Sequence, residues 1–250
     1  MMRSLGILLA RGGSTRIPRK NVKPLLGHPL IAYGGRAALA SGLSRVILST
    51  DDDEIAAAAQ QYGVDAPFRR PAELSKDVPT EHVTRHALDW AEADEGAAYD
   101  IVVTLQPTTP FILPEHIDAC IESVAVSDAA CCFTAQRASQ PPQWMFTLDD
   151  DGTATPLLDG VIEGERGVFQ SLPACYLPNG GAYATRVSAF RAWGRIISDP
   201  ARLFIMDAAR SVDLDEPEDW LIAEAMGTRH GFSLLPLEGY ENDSWKMRRN

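Results

Sequence analysis

Between residues 11 and 20 the chain sets Gly12, Gly13, Ser14 and Thr15 between Arg11 on one side and Arg16, Arg19 and Lys20 on the other. Adjacent glycines let a backbone approach a ligand closely and turn its N–H groups inward, the concave arrangement that binds anions. Cations placed around such a nest neutralise a polyphosphate. The spacing fits neither the P-loop pattern GxxxxGK[ST] nor the dinucleotide fingerprint GxGxxG. A solvated basic loop is the competing reading, because Gly, Ser and Arg are common in loops.

Near the other end, Asp213 and Asp215 lie two apart in Ser211-Val212-Asp213-Leu214-Asp215. An extended segment with that spacing puts both carboxylates on one side and turns Val212 and Leu214 to the core. Such a pair can hold Mg²⁺, which takes one or two carboxylates together with substrate phosphate oxygens. Acids capping a helix that begins near Pro217 are the alternative, and the basic glycine loop in the same chain favours the metal. Arg70, beside Pro71, is either a nucleotide contact or a solvated strand end. Gln106, followed by Pro107-Thr108-Thr109, falls at a strand's carboxyl end, where ligands sit in open α/β sheets. Asn179-Gly180-Gly181 can turn the backbone towards a substrate or simply start a strand. His82 and His86 have zinc-ligand spacing, but no third ligand or HExxH accompanies them. No GxSxG elbow is present, and no cysteine stands in a recognisable nucleophile setting.

The elements that must position these groups alternate between apolar runs and helical patterns, the signature of βαβ units and a mainly parallel sheet. Strands are expected at 5–9, 45–48, 64–68, 101–105, 128–134, 181–185 and 203–206. Helices are expected at 29–41, from Thr50 or Asp51 as cap to about 62, and at 80–92, 115–126 and 217–226. Residues 135–178 break the rhythm: Pro141-Pro142 and the turn Asp149-Asp150-Asp151-Gly152 suggest an insertion bearing a hairpin. The tail 227–250 carries no assignable pattern. One domain over 1–226, with 135–178 inserted, is the expected organisation.

A chain of 250 residues, 45% apolar and 23% charged, has the composition of a soluble globular protein. Its formal net charge of −11 argues against a nucleic-acid coat. No run is long enough to span a bilayer, and the first residues lack a secretory signal, so a cytoplasmic location is expected. Cys120, Cys131, Cys132 and Cys175 show no CxxC pairing and read as reduced thiols.

Taken in order, several motifs resemble one family. They are Ala10-Arg11-Gly12-Gly13-Ser14, Ile17-Pro18-Arg19-Lys20-Asn21, Ser49-Thr50-Asp51-Asp52, Arg70-Pro71-Ala72-Glu73-Leu74, Leu105-Gln106-Pro107-Thr108, Pro178-Asn179-Gly180 with Tyr183, and Ser211-Val212-Asp213-Leu214-Asp215. Together they look like the acylneuraminate cytidylyltransferases, the CMP-sialic acid synthetases and their bacterial relatives for pseudaminic and legionaminic acids. The resemblance implies a three-layer, Rossmann-like nucleotidyltransferase fold. It also implies transfer of CMP from CTP to the anomeric hydroxyl of a 2-keto-3-deoxy sugar acid, with Mg²⁺. A homodimer is implied, its inserted segment reaching over the partner's site. Carried over by position, Arg11, Gly12, Gly13, Ser14, Lys20 and Asn21 would hold CTP, with Arg70 and Thr80 near the base or ribose. Gln106, Gln170, Asn179 and Tyr183 would face the sugar, and Asp213 and Asp215 the metal; Arg11, Lys20 and Asp213 would carry the chemistry.

Two departures stand out. Sialate enzymes have Ser-Lys-Gly where this chain has Ser14-Thr15-Arg16, similar to CMP-Kdo synthetases, which leaves Arg16 as the candidate for the absent lysine's charge. The family's Arg-Gln-x-Leu-Pro becomes Phe169-Gln170-Ser171-Leu172-Pro173, which leaves Arg166 as the candidate cation near the sugar carboxylate. A CMP-Kdo-type or other sugar nucleotidyltransferase, and a catalytically silent nucleotide-binding scaffold, are the alternatives.

Overall fold

The computed structural model describes residues 2–158 and 172–236. Elements follow in the order β1 (Ser4–Leu9), β2 (Pro24–Leu25), β3 (His28–Pro29), α1 (Leu30–Leu39), β4 (Arg45–Ser49), α2 (Asp53–Gln61), α3 (Thr80–Glu95), β5 (Ile101–Leu105) and α4 (Pro114–Ala125). There follow β6 (Cys131–Arg137), β7 (Phe146–Leu148), β8 (Ala154–Pro156), β9 (Tyr176–Arg186), α5 (Val187–Trp193), β10 (Ala201–Ile205) and α6 (Pro217–His230).

Six strands form one sheet in the order β10-β6-β9-β5-β1-β4. β1 runs parallel to β4 and β5, β10 parallel to β6, and β9 alone is antiparallel, between β5 and β6. All five residues of β5 are buried, as a central strand covered on both faces requires. Alternate side chains sort to opposite faces. Leu8, Leu48 and Val103 pack with Ile31 of α1, Ile55 of α2 and Ile117 of α4. Leu5, Ile7 and Val102 pack with Leu88 of α3 and Phe190 of α5. A third cluster joins Ile17, Leu25 and Leu30 to Leu214 and to Trp220 of α6, tying the two ends of the chain together.

Four differences from the sequence reading have physical causes. No strand forms at 64–68: only the isolated bridges Ile47↔Asp65 and Thr50↔Arg69 are made, and Pro67 has no N–H to continue a ladder. The cap of α2 is Asp52, whose carboxylate accepts the N–H groups of Glu54 and Ile55, rather than Thr50 or Asp51. β9 begins at Tyr176, five residues before the expected start, because Pro178 pairs with Ala135 and a register irregularity between Phe133 and Ala135 absorbs Asn179-Gly180-Gly181-Ala182. α6 runs past 226 to His230: Gly227 does not end it but lets Leu26 approach, since a Cβ there would lie 2.2 Å from Leu26 Cδ1. The expected hairpin is present as β7 and β8, closed by the Asp149 N–H on the Thr153 carbonyl at 2.9 Å. Arg166, Phe169, Gln170 and Ser171, and the tail from 237, lie outside the described residues.

Candidate active site

At the carboxyl end of β1 and β5 a cleft of about 520 Å³ opens, on the face that carries α3. The basic loop after β1, the end of β5, the start of α3 and the aspartate ribbon before α6 all contribute to its walls. Arg11, Ser14, Arg16, Lys20, Asn21, Arg70, Thr80, Gln106, Asp213 and Asp215 therefore meet in one cavity. Leu9, Leu74, Val78 and Val83 give it an apolar side, and the N-terminus of α3 adds positive potential beside Thr80.

Lys20 joins the loop to the ribbon. Its side chain is only 14% exposed, and Nζ donates to the Leu214 carbonyl at 2.6 Å and to Asp215 Oδ1 at 3.3 Å. Arg16 makes a second bridge, to Glu216 at 3.2 Å. The ribbon is also tied to the end of β5, where the Leu214 N–H donates to the Thr108 carbonyl at 2.9 Å. Asp219 receives the N–H groups of Asp215 and Glu216 at 3.0 and 2.7 Å, fixing the turn into α6. Leu214 is buried and Asp213 half-buried, so the alternation expected of the ribbon is present.

Asp213 is the strained member of the cleft. Burial pushes its carboxyl above the usual carboxylate range, and the nearby charges of Asp215 and Asp219 push the same way. The Thr108 hydroxyl and Lys20 ammonium pull it back. Its Oδ1 is buried and accepts no hydrogen bond from the described residues. A buried carboxylate oxygen without a donor costs free energy unless a cation meets it.

The glycine loop satisfies itself in an unexpected way. Gly12 donates its N–H to Asp51 Oδ1 at 2.9 Å, and Ser14 donates to the Gly12 carbonyl at 3.0 Å. Neither glycine takes a positive φ, so the left-handed nest geometry is absent. Gly12 is required for proximity instead, since a Cβ there would lie 2.6 Å from Asp52 Oδ2, whereas Gly13 faces open space. Asn21 is buried and donates to the Arg11 carbonyl at 3.0 Å, shaping the loop from behind. Arg19 turns out of the cleft to Asp52 and Glu54 at the start of α2.

Arg70 is buried, with Nε on Ser49 Oγ at 3.0 Å and a second nitrogen on the Ser49 carbonyl; burial lowers its pKa to about 10. Gln106 lies against Gly180, whose φ of +76° and lack of a Cβ allow the contact: an added Cβ would stand 2.8 Å from Gln106 Oε1.

Asn179 and Tyr183 are not in the cleft wall. The Asn179 amide is spent on protein partners: Oδ1 accepts from Thr134 Oγ1 at 2.7 Å and from the Gly181 N–H at 3.2 Å. Its Nδ2 donates to Ser211 Oγ at 3.0 Å and to Met206 Sδ at 3.2 Å. The geometry makes it a support for the ribbon rather than a surface offered to a sugar. Tyr183 stacks on Phe133 at 6.0 Å; burial and then the Asp213 charge push its hydroxyl upward, so its polar end feels the Asp213 carboxylate. Sequence reasoning overlooked Asp51, Lys76 and Asp77. The Arg11 guanidinium pairs with Asp77 at 2.5 Å, and Lys76 lines the same wall. The helix-capping reading of Ser49-Thr50-Asp51-Asp52 hid the contact of Asp51 with the loop.

Residues 5–154 match the sequence family described as Cytidylyltransferase. The chain belongs to that cytidylyltransferase family. This cytidylyltransferase is 30% identical over 229 residues to CMP-N,N'-diacetyllegionaminic acid synthase of Legionella pneumophila, covering 90% of the chain and 96% of that protein. It is 31% identical over 227 residues to a pseudaminic acid cytidylyltransferase of Campylobacter jejuni, with 90% and 96% coverage. Its fold is shared with CMP:2-keto-3-deoxy-manno-octonic acid synthetase solved with CTP, at a TM-score of 0.64 and 18% identity over 91% of this chain and 99% of the other. It is shared also with 4-diphosphocytidyl-2C-methyl-D-erythritol synthase from Anaerococcus prevotii, at 0.62 and 13% over 91% and 97%. The cytidylyltransferase is thus a mixed α/β nucleotidyltransferase with a mainly parallel central sheet.

Proposed function

We propose that this cytidylyltransferase moves CMP from CTP to the anomeric hydroxyl of a 2-keto-3-deoxy sugar acid of the sialic, pseudaminic or legionaminic type. The observation that carries the reading is the shared cleft: the cationic loop and the Asp213–Asp215 ribbon face one space and are joined by Lys20. Relatives named for legionaminic and pseudaminic acids support the class of acceptor.

The residues fit Mg²⁺. Asp213 and Asp215 supply hard oxygen donors only, and the bare Oδ1 of Asp213 is a position a cation would complete. When bound, the ion would neutralise charge on the phosphates. The sugar oxygen forms a bond to the α-phosphorus as the bond from that phosphorus to pyrophosphate breaks. Asp213 takes the hydroxyl proton. Arg11 and Lys20 stabilise charge on the departing pyrophosphate, with Ser14 and Arg16 beside them in the cleft. Positioning and electrostatics suffice for such a transfer, so no covalent nucleophile is required. Arg11 must first exchange Asp77 for phosphate.

A homodimer fits the exposed apolar side chains among the described residues. Phe146 and Leu148 of β7, Leu177 of β9, and Leu203 and Ile205 of the edge strand β10 are all exposed. Free thiols at all four cysteines suit a reducing cytoplasm. Among the described residues no helix is long and apolar enough to cross a membrane.

Pyrophosphate release from CTP, assayed with sialic, pseudaminic, legionaminic and Kdo-type acids with and without EDTA, tests the reading. Metal-dependent turnover with one acid is expected. Silence with every acid despite CTP binding would favour the nucleotide-binding scaffold.

A further inference from the structure

Five cations line the cleft, and four of them are already engaged. Arg11 is paired with Asp77, Arg16 with Glu216, Lys20 with Leu214 and Asp215, and Arg70 with Ser49. The fifth, Lys76, is exposed, and its ammonium has no hydrogen bond or ion pair among the described residues. It stands on the arch between Arg70 and α3, next to Asp77, which pairs with Arg11 at the start of the glycine loop. The arch is built rather than loose: Ala72–Leu74 form a 3-10 turn, Ser75 Oγ donates to the Pro71 carbonyl at 3.0 Å, and the Val78 N–H donates to the Lys76 carbonyl at 2.9 Å. Lys76 also borders an adjoining hollow with Arg69, Arg70 and Asp51, so its ammonium is bathed in solvent on both sides and free to turn inward.

We propose that Lys76 is a phosphate ligand of the bound nucleotide, adding a cation from the arch to those of the glycine loop. The inference rests on the cytidylyl reading above and adds a contact to it. A triphosphate needs charge from several directions, and every other cation in the cleft must leave or share a protein partner to supply it. Lys76 gives up only water. Its neighbour Asp77 holds Arg11, so arrival of the triphosphate on Lys76 and Arg11 together would release Asp77 to solvent, where its side chain is already 91% exposed.

The test measures binding of CTP and of cytidine, with Mg²⁺ and without any sugar acid, to the wild type, Lys76→Ala, Lys76→Arg and the double variant Lys76→Ala/Thr15→Lys. Titration calorimetry serves for CTP and ligand-observed NMR for the weaker nucleoside. Lys76→Ala should weaken CTP about 10- to 100-fold, the size of one charge-assisted hydrogen bond, and leave cytidine unchanged. Lys76→Arg should keep CTP affinity, and a lysine at position 15, which lines the same cleft, should restore part of what Lys76→Ala loses. Unchanged CTP binding in Lys76→Ala, or equal loss of CTP and cytidine, would overturn the inference while leaving the cytidylyl reading intact. A wild type that binds no CTP would remove the reading itself, and the inference with it.

Discussion

Asp213 holds a carboxylate oxygen that no donor among the described residues reaches, in surroundings that disfavour its charge. A group so placed lowers the stability of the free protein and becomes useful only when a cation arrives. Asp213→Asn keeps the shape and removes the charge. Pyrophosphate release should fall by ~10²–10³ or more, while the ligand-free protein melts a few degrees higher. Assay and thermal melt on the same sample check both; a variant with wild-type turnover would remove Asp213 from the chemistry. Lys20→Ala should lose turnover by a similar factor, but with a lower melting point, because the Leu214 carbonyl loses its donor. At this scale the sequence was legible where residue type alone carried the meaning. Cations and carboxylates announced the loop and the ribbon. It was silent on Lys76, one of four lysines in the chain but outside every motif, and misleading on Asn179, whose partners Thr134, Met206 and Ser211 are 27 to 45 residues away along the chain.

Those partners make Asn179 a matter of elements. It fastens β9 to β6 through Thr134 and to the 206–211 segment through Met206 and Ser211. Asn179→Ala leaves two buried hydroxyls short of a partner, and should cost about 2–4 kcal/mol in a denaturant melt. If instead it faces the sugar, stability will hold and only the KM for the acid will rise. His116, in the first turn of α4, gives a pH signature. Burial holds its imidazole below the ordinary value of 6.5, with Arg210 adding to the effect and Glu115 and Asp207 opposing it. The neutral ring accepts the Leu113 N–H at Nδ1, at 3.2 Å. The folded state therefore binds fewer protons than the unfolded one. Stability is full above about pH 6.5 and declines as pH falls through the lowered pKa. Melting points at pH 7.5 and 5 should separate by a few degrees more in the wild type than in His116→Asn. Strands and helices with uniform patterns were readable in advance, β5 to the residue. The stretch at 64–68 was not, because apolar composition outweighed the missing donor of Pro67.

As a whole the molecule is an anion, with a formal charge of −11, that concentrates cations in one cleft. Exposed apolar side chains include Leu203 and Ile205 on the sheet-edge strand β10. Lysines at both Leu203 and Ile205 should convert a dimeric mass to a monomeric one in light scattering at micromolar concentration. A wild type already monomeric there would count against the dimer. The layered architecture could be anticipated from alternating elements, and the sharing of one cleft by loop and ribbon from their chemistry, whereas the direct bond of Lys20 to the Leu214 carbonyl could not, since it depends on how distant segments converge.

That contact spans 194 residues of sequence. A ribosome adding ~5–20 residues each second delivers Lys20 roughly 10–40 s before its acceptor carbonyl. During that interval the nascent polypeptide can assemble most of its parallel framework but owns only half of its grip on nucleotide. Competence is conferred only once residue 214 has been made, so a product terminated before it would fold in part and yet stay inert towards the cell's CTP.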